Sequence, residues 1–216
     1  MKVIAFNGSP RKNWNTAALL QNALDGAASA GAETKLVHLY DLKFRGCTSC
    51  FSCKLTGSKS LGKCASQDGL TPILAEAAEA DALILGSPIY FAGVTGEMKS
   101  FMERLLFPYL QYDVAYSTLF PRKIPTAFIH TMNVGEAEMV ERGYLPSLTN
   151  NAGFMQRIFG ACETLNSYDT CQFNDYTKVE ASRFDAQKKA ARRRDIFPED
   201  CRKAFALGAR LATAAA

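Results

Sequence analysis

Segment 2–16 combines an apolar run with a polar turn, an arrangement that binds anions at the start of a helix. The apolar residues 3–6 end at Asn7-Gly8, and a helical pattern begins near Asn15. A strand, a tight loop and a helix start direct backbone N–H groups and the positive end of the helix dipole toward a negative ligand. We predict that this loop binds a phosphate with the help of four side-chain donors, namely Ser9, Arg11, Asn15 and Thr16.

No common nucleotide-binding signature accompanies this loop. The chain has neither the Gly-x4-Gly-Lys-Ser/Thr spacing of triphosphate-binding loops nor a Gly-x-Gly-x-x-Gly sequence. No cysteine is followed by an arginine six residues later, which excludes the loop of cysteine phosphatases. The alternative interpretation is an ordinary strand-to-helix turn capped by Asn15 or Thr16.

A second segment, 86–96, follows an apolar strand and leads into another helical pattern. Its sequence is Gly-Ser-Pro-Ile-Tyr-Phe-Ala-Gly-Val-Thr-Gly. Tyr90 and Phe91 provide an aromatic pair, the proline exposes backbone, and the glycines allow a ligand to approach closely. These features indicate a slot for a planar group.

Four cysteines follow the second predicted strand. Cys47, Cys50 and Cys53 are spaced by three residues, and Cys64 comes later. On a helix Cys53 would lie about 120° from Cys47, so a loop that wraps the thiols round a common centre suits the spacing better. The pattern fits iron–sulfur ligands, redox-active thiols without metal, or a structural zinc site. The remaining cysteines are interpreted as small core or surface residues: Cys162, Cys171 and Cys201.

Length and composition favour one globular domain over residues 1–216. Hydrophobic residues make up 48% and charged residues 21% of the chain, close to globular averages. The net charge of +4 mildly favours anionic ligands and does not indicate nucleic acid. No apolar run is long enough to cross a membrane, and the N-terminus has a strand pattern rather than that of a signal peptide. Seven cysteines, an odd number, fit a reducing environment, so we expect a cytoplasmic protein.

Short apolar runs alternate with helical patterns, which is typical of βαβ units and a parallel sheet. Strands are predicted at 2–7, 33–39, 81–87, 125–132 and 162–170. Helices are predicted at 15–30, 69–79, 96–107, 136–159 and 186–213. The expected fold class is α/β, a three-layer sandwich around a five-stranded parallel sheet of order 2-1-3-4-5.

Two long excursions and one basic run depart from this minimal plan. The first excursion, Phe107 to Pro125, is rich in aromatic residues, which indicates a subunit contact or a loop folded back on its own core. The second, Thr164 to Phe184, has no regular pattern. The basic run at 188–194 is interpreted as a solvated helix face rather than a nucleic-acid patch.

The first two loops converge if the strand order is correct. In a sheet of order 2-1-3-4-5, ligands bind at the carboxyl ends of the strands, between the first and third strands. A phosphate loop beside an aromatic slot is what flavin mononucleotide (FMN) requires.

The sequences of these loops carry a family resemblance. Asn7-Gly-Ser-Pro-Arg-Lys-x-x-Asn-Thr16 and Gly86-Ser-Pro-Ile-Tyr-Phe-x-Gly resemble the NADPH-dependent FMN reductase branch of the flavodoxin-like superfamily, and most of all its iron–sulfur flavoproteins. The resemblance covers about the first 135 residues and implies a flavodoxin-like fold. Trp14 departs from the pattern, since relatives usually carry glycine there, so we expect a bulkier loop or an indole that covers the ribityl chain.

The resemblance implies roles for the residues of three loops. Ser9, Arg11, Asn15 and Thr16 would hold the FMN phosphate. The ribityl chain and the ring system would be lined by Pro88, Ile89, Tyr90, Phe91, Gly93 and Val94. A third loop would contribute His130, Thr131 and Asn133, with His130 bonded to the pyrimidine edge of the flavin or, alternatively, satisfied by backbone. In the iron–sulfur relatives a compact cysteine motif holds a [4Fe–4S] cluster, although its fourth cysteine usually follows sooner than Cys64 does.

The function implied is an oxidoreductase that contains FMN and uses NAD(P)H as a transient co-substrate. Its acceptor would be a quinone, a free flavin, a nitro or azo compound, or a protein, reached directly or through a [4Fe–4S] cluster. The alternatives are a flavodoxin-like electron carrier or a redox sensor without NAD(P)H turnover. No side chain is assigned a catalytic role. Relatives are commonly dimers or tetramers, so we expect a homodimer or homotetramer without nucleic-acid or membrane partners.

Overall fold

In this computed structural model, which describes residues 1–214, strands and helices alternate along the chain. The strands are β1 (Lys2–Asn7), β2 (Glu33–His38), β3 (Ala82–Tyr90), β4 (Gly93–Val94), β5 (Ile124–Thr131) and β6 (Gly160–Ser167). The helices are α1 (Asn15–Ser29), α2 (Thr71–Glu79), α3 (Gly96–Leu106), α4 (Glu136–Glu141), α5 (Leu145–Phe159), α6 (Ala186–Ala191) and α7 (Phe197–Ala214). None of the helices within these residues is long and apolar enough to span a membrane.

The main sheet is parallel, and its strands lie in the order β2-β1-β3-β5-β6. This is the predicted order 2-1-3-4-5, so the expected α/β fold class is confirmed. The short strand β4 pairs antiparallel with the end of β3 and makes the sheet six-stranded rather than five-stranded. A strand of two residues is too short to produce a periodic pattern, which is why the sequence did not indicate it.

Helices cover both faces of the sheet because its central strands are apolar on both sides. Successive residues of β3 point to opposite faces, and both Leu83 and Ile84 are fully buried. Leu83 packs in a core with residues of α2, α3 and α5, whereas Ile84 packs in a core with residues of α1 and α7. This arrangement is the expected three-layer sandwich.

The predicted single helix 136–159 is wrong, because the chain turns inside it and forms α4 and α5. Gly143 has a φ of 71°, in the left-handed region that glycine tolerates best. Pro146 lies in the first turn of α5, where its missing N–H group would have had no helical partner. Both residues are visible in the sequence and mark the break.

Other predicted bounds also change. Helix 186–213 divides into α6, a π-helical turn over 192–196 and α7. The last strand covers 160–167 instead of 162–170, and β3 extends to Tyr90 instead of ending at 87. The second loop of the sequence analysis therefore begins as a strand.

The first excursion, 107–125, has a part that packs on the core and a part that is exposed. Tyr109 and Phe120 pack edge-on against Phe159, with ring centroids 6.3 Å and 4.8 Å from that ring. Tyr112 and Tyr116 are exposed. One part of the excursion thus folds back on the core, and the other part presents aromatic side chains to the surface.

The backbones of α1 and α7 touch at two glycines. A Cβ atom added at Gly26 would lie 2.0 Å from the carbonyl oxygen of Phe205, and one added at Gly208 would lie 1.7 Å from that of Ala23. Both distances are far shorter than a van der Waals contact, so this approach requires glycine. The contact fixes the C-terminal helix against the helix that begins at the predicted phosphate loop.

Candidate functional site

The loop after β1 has a shape that its own hydrogen bonds determine. Asn7 Oδ1 accepts the N–H of Ser9 at 3.0 Å, and Ser9 Oγ accepts the N–H of Arg11 at 3.1 Å. The N–H of Gly8 donates to the carbonyl of Gly86 in β3 at 2.8 Å. The loop is therefore fixed against the central strand without a ligand.

Helix α1 begins inside the protein and has no side-chain cap. Its N-cap residue is Trp14, whose side chain makes no cap hydrogen bond, and the next two residues, Asn15 and Thr16, are buried. The first N–H groups of a helix need a capping side chain, water or a ligand. A buried, uncapped helix start therefore favours an anion. The alternative turn capped by Asn15 or Thr16 does not describe this helix, because both residues lie within its first turn.

Part of the second excursion forms a wall against this loop. The carbonyl of Cys171 accepts hydrogen bonds from Asn15 Nδ2 at 2.7 Å and from Trp14 Nε1 at 2.9 Å. The carbonyl of Gln172 accepts a hydrogen bond from the guanidinium of Arg11. The excursion, in which the sequence showed no regular pattern, thus positions three side chains of the loop.

The four predicted phosphate-binding side chains all lie at this loop, and each already has a protein partner. The hydroxyl of Thr16 lies 2.8 Å from that of Thr131, which brings the third predicted loop against the first. The hydroxyl of Ser9 bonds to the backbone of Arg11. Arg11 and Asn15 have more N–H donors than their bonds to the wall use, so both can still donate to a ligand.

Two guanidinium groups lie over the indole of Trp14. The Cζ atom of Arg11 lies 3.8 Å from the ring centroid, and that of Arg193 lies 4.6 Å from it. Arg193 also donates to Asn15 Oδ1 at 3.4 Å. The sequence analysis did not identify Arg193 as a site residue, because nothing local indicates that the segment before α7 reaches α1.

The third loop is attached to the same wall. Asn133 donates to Gln172 Oε1 at 2.7 Å, and its carbonyl accepts the ammonium of Lys189 at 2.8 Å. Lys189 is buried and pairs with Asp169. The interpretation of the basic run as a solvated helix face is therefore wrong for Lys189, which fastens the C-terminal segment to the third loop.

His130 lies near the carboxyl end of β5 and is fully buried. Its ring stacks on Phe128 with centroids 4.4 Å apart, and its Nδ1 lies 2.9 Å from Asn166 Oδ1. Burial lowers the pKa of His130 to about 4, so the ring is neutral at pH 7. Its Nε2 has no hydrogen-bond partner within residues 1–214. The predicted bond to a flavin edge requires this atom to become accessible and stays a prediction.

The second loop is a hairpin made by the end of β3 and by β4. Phe91 and Ala92 form its turn with φ values of 49° and 64°, a left-handed conformation that is strained for non-glycine residues. Phe91 is fully exposed, and Tyr90 is 43% exposed. An exposed aromatic pair on a strained turn is typical of a contact surface. The hairpin contains all six predicted ring-lining residues: Pro88, Ile89, Tyr90, Phe91, Gly93 and Val94.

Thr95 connects this hairpin to the phosphate loop. Its hydroxyl donates to the carbonyl of Gly8 at 2.7 Å, and its N–H donates to Ser87 Oγ at 3.1 Å. Tyr40 lies near Thr95 and Tyr90, and partial burial raises the pKa of its phenol. Tyr40 was not predicted as a site residue. Its position directly after β2, at the carboxyl edge of the sheet, is the signal that could have identified it.

The four candidate metal-ligating cysteines surround one cavity. Cys47, Cys50, Cys53 and Cys64 all line a space of about 20 Å³. The chain at 47–51 is irregular rather than helical, so the expected wrapping loop is present. Burial raises the pKa of the Cys53 thiol, whereas hydrogen bonds with Ser52 lower that of Cys50.

The chemistry of these donors fits a metal centre, but the four side chains are not arranged to share one. Four thiols are the usual ligands of [4Fe–4S] and of structural zinc. Within residues 1–214, no three cysteine, histidine or carboxylate side chains are placed to share one metal ion. The cavity of about 20 Å³ has room for about one water molecule. The segment would have to rearrange to hold a cluster.

Arg104 of α3 forms hydrogen bonds with residues at both ends of the cysteine segment. Its side chain is 1% exposed and pairs with Asp68 at 2.5 Å. Its Nε donates to Cys64 Sγ at 3.3 Å, and its other N–H groups donate to the carbonyls of Arg45 at 3.1 Å and Ser66 at 3.3 Å. Although burial opposes it, the bond from Arg104 lowers the pKa of Asp68.

A larger cavity of about 510 Å³ opens between the cysteine segment, α3 and α5. Its lining is mainly aromatic and aliphatic, with Cys47 at one side and Lys99, Glu103 and Arg157 as charged groups. Cys47 and Phe107 line both this cavity and the smaller one. The larger cavity is thus adjacent to the thiols and does not include the residues of the phosphate loop.

Solved structures of flavoenzymes share this fold at low sequence identity. The NAD(P)H:quinone oxidoreductase from Methanothermobacter marburgensis is 15% identical with a TM-score of 0.63, and the match covers 98% of each chain. An azoreductase from Bacillus anthracis str. Sterne is 15% identical with a TM-score of 0.66, over 97% of this chain and 99% of that one. A flavodoxin from the domain Archaea is 14% identical with a TM-score of 0.51, over 100% of this chain and 99% of that one. These likenesses establish the fold alone.

Comparisons of sequence identify the family to which the chain belongs. An iron-sulfur flavoprotein of Methanocaldococcus jannaschii is 42% identical over 104 residues, which are 48% of this chain and 51% of that protein. An iron-sulfur flavoprotein of Archaeoglobus fulgidus is 31% identical over 161 residues, which are 74% of this chain and 63% of that protein. The matched region thus spans between half and two thirds of these relatives. The family model of NADPH-dependent FMN reductases matches residues 1–129, which include the phosphate loop, the cysteine segment and the hairpin. The chain belongs to the NADPH-dependent FMN reductase family, within the flavodoxin-like fold.

Proposed function

We propose that this chain is an FMN-dependent oxidoreductase that uses NAD(P)H as its electron donor. The observation that carries the proposal is that the uncapped start of α1 and the exposed Tyr90–Phe91 hairpin converge at the carboxyl ends of β1 and β3. Ligands of open α/β sheets bind at this edge, where the strand order reverses. Membership in the FMN reductase family supports the same cofactor.

The residues at this edge fit FMN in both of its parts. The free N–H groups at the start of α1 and the guanidinium of Arg11 suit a phosphate. Tyr90 and Phe91 suit the planar ring because they are aromatic and exposed. The carbonyls at 171–172 hold Arg11 and Asn15 in position, so the phosphate donors are oriented before binding.

When bound, FMN supplies hydride and electron transfer between a nicotinamide and an acceptor. The side chains around it bind and orient it. His130 is neutral, buried and paired with Asn166, so it does not transfer a proton at this edge. Burial raises the pKa of Tyr40, so this phenol keeps its proton at neutral pH.

The nicotinamide would dock transiently on the open side of the hairpin. The chain contains no dinucleotide-binding fingerprint. Tyr90 and Phe91 are exposed on the side where a second planar ring could stack. This arrangement supports NAD(P)H as a co-substrate rather than a bound cofactor.

We propose in addition that Cys47, Cys50, Cys53 and Cys64 hold a [4Fe–4S] cluster. The convergence of the four thiols on one cavity and the two iron-sulfur flavoprotein relatives support this. When bound, a cluster supplies one-electron transfer. Structural zinc and metal-free redox thiols are the competing occupants of the same segment.

The acceptor we propose is a quinone, a free flavin, a nitro or azo compound, or a protein. The 510 Å³ cavity beside Cys47 has the size and the apolar lining of a small-molecule site. Exposed side chains such as Tyr112, Val114 and Tyr116 support a subunit contact in a homodimer or homotetramer. We propose a cytoplasmic location without nucleic-acid or membrane partners.

The first test is an anaerobic absorption spectrum of the freshly purified protein, with iron and acid-labile sulfide assayed on the same sample. Flavin bands, about four irons per chain and steady NADPH oxidation with an artificial acceptor would support both proposals. Flavin without iron would remove the cluster and keep the reductase. Flavin without NADPH oxidation would favour an electron carrier or sensor, and no flavin after addition of FMN would contradict the function.

A second test removes the aromatic pair of the hairpin. The double substitution of Tyr90→Ala and Phe91→Ala should weaken FMN binding about tenfold or more, since aromatic stacking contributes about 1–3 kcal/mol per ring. The flavin that remains bound after gel filtration measures the effect. Tyr112→Ala is the matched control, because Tyr112 is also exposed but lies in the first excursion. Equal flavin content in the double variant and the control would contradict the proposed ring site.

A further inference from the structure

The phosphate loop receives a second arginine from the C-terminal part of the chain. Arg193 lies in the π-helical turn that precedes α7. Its Cζ atom lies 4.6 Å from the centroid of Trp14, and it donates to Asn15 Oδ1 at 3.4 Å. Both contacts are with residues at the start of α1.

Arg193 differs from the arginines on either side of it, because each of those forms a salt bridge. Arg192 pairs with Asp200 at 2.5 Å, and Arg194 pairs with Asp195 at 2.7 Å. Arg193, between them, forms no salt bridge with a carboxylate of residues 1–214, and it donates to the amide oxygen of Asn15. Of three consecutive arginines, the one that faces the loop is the one whose charge is not neutralised within the chain.

The positive charges around the loop favour the binding of an anion. Arg11 also lies over Trp14, with its Cζ 3.8 Å from the ring centroid, so the two guanidinium groups are close enough to repel each other at physiological salt. The uncapped start of α1 adds partial positive charge at the same place. Both cations contact the indole of Trp14, whose π-system stabilises a nearby cation. A phosphate bound beside them at the start of α1 would neutralise the positive charge that the chain leaves uncompensated.

We propose that Arg193 is a phosphate-binding residue, which together with Arg11 and the start of α1 holds the phosphate monoester of FMN. The inference rests on the proposed FMN-dependent function and extends it to a residue outside the three flavin loops. It also assigns a role to Trp14, whose indole contacts both arginines. The phosphates of NAD(P)H share the same chemistry, and the test distinguishes the two sources.

The experiment compares FMN with riboflavin, which lacks the phosphate. Dissociation constants for both are measured by flavin fluorescence with the wild type, Arg193→Ala and the control Arg194→Ala. We expect Arg193→Ala to weaken FMN binding about tenfold, because a charged hydrogen bond is lost, and to leave riboflavin binding unchanged. Arg194→Ala should change neither. Arg193→Lys keeps the charge and should retain most of the preference for FMN, which provides a second, conservative variant.

The outcomes separate the inference from the function on which it depends. Wild-type protein that binds neither flavin would overturn the proposed function. Wild-type protein that prefers FMN, with the same preference in Arg193→Ala, would overturn this inference alone. Equal weakening of FMN and riboflavin would make Arg193 a structural support of Trp14 and would also overturn it. A change confined to the KM for NADPH at saturating FMN would assign the arginine to the nicotinamide nucleotide and overturn the proposal.

Discussion

The predicted phosphate loop and the cysteine segment both follow a parallel strand, but different contacts hold them in place. The loop at 8–14 is short and is held from several sides, by β3, by Thr95 and by the wall at 171–172. The longer segment at 42–68 depends on α3 and above all on the buried Arg104. The loop presents free donors around an open position, whereas the four thiols line a space of about 20 Å³ and two of them, Cys47 and Cys50, are exposed.

This difference indicates that the two regions would bind their ligands by different mechanisms. A loop with its donors already oriented binds with little loss of conformational entropy. A segment whose ligands must be rearranged before they can share a metal centre couples metal binding to local structural change. We therefore expect changes on the cysteine side to alter thiol chemistry and stability, and changes on the phosphate side to alter flavin affinity.

The largest effect should come from Arg104→Met. The substitution leaves Asp68 and two carbonyls without their buried partner, which should lower the free energy of unfolding by about 3–4 kcal/mol. Urea denaturation measures that loss, and the labelling rate of the buried Cys53 thiol in native protein should rise. Arg210→Met is the control, because its pair with Glu163 is exposed and should contribute under about 1 kcal/mol. Unchanged labelling of Cys53 would mean that Arg104 does not hold the cysteine segment in place.

Acid should act on the flavin side of the molecule through His130. Its folded pKa is lowered from 6.5 to about 4, so the unfolded chain binds a proton between these values that the folded chain does not. The stability that the neutral ring contributes is complete above pH 6.5 and is lost as the pH falls toward 4. The loss should reach about 3 kcal/mol.

His130→Gln removes this titration, and denaturation midpoints measured from pH 7 down to 4 give the comparison. The wild-type curve should fall more steeply than that of the variant. Parallel curves would show that the ring is not held neutral. Flavin release in the same pH window, in the wild type alone, would place the effect at the carboxyl edge of the sheet.

A smaller effect should come from Gly208→Ala. The added methyl group would collide with the carbonyl of Ala23, so α7 must move away from α1 at a cost of about 2 kcal/mol. FMN affinity should fall with it, whereas thiol labelling should stay unchanged. Gly153→Ala is the control, since a Cβ atom there meets nothing within 4 Å and alanine favours the helix by about 1 kcal/mol. A loss of stability without any change in FMN affinity would separate α7 from the phosphate site.

The features that were predictable from the sequence are those that depend on neighbouring residues. The strands and the position of the loop after β1 followed from apolar runs and from the polar turn at Asn7-Gly8, because these patterns are local, and the strand order followed from the general rule for crossovers in parallel sheets. The break at Gly143 was also local and was missed. The positions of Arg193 and of the wall at Cys171 depend on contacts between distant parts of the chain, which no local pattern reports. Arg104 falls in the same class, because an arginine in a helix is normally exposed.

The glycine contact between α1 and α7 also bears on the order of events during synthesis. Gly26 leaves the ribosome long before Gly208, and at about 5–20 residues per second the interval is about 10–35 s. During that time the apolar face of α1 lacks the helix that covers it. Contacts between such distant residues also slow folding. The newly made N-terminal βα unit therefore passes through a stage in which a chaperone, rather than α7, is the partner available to its exposed face.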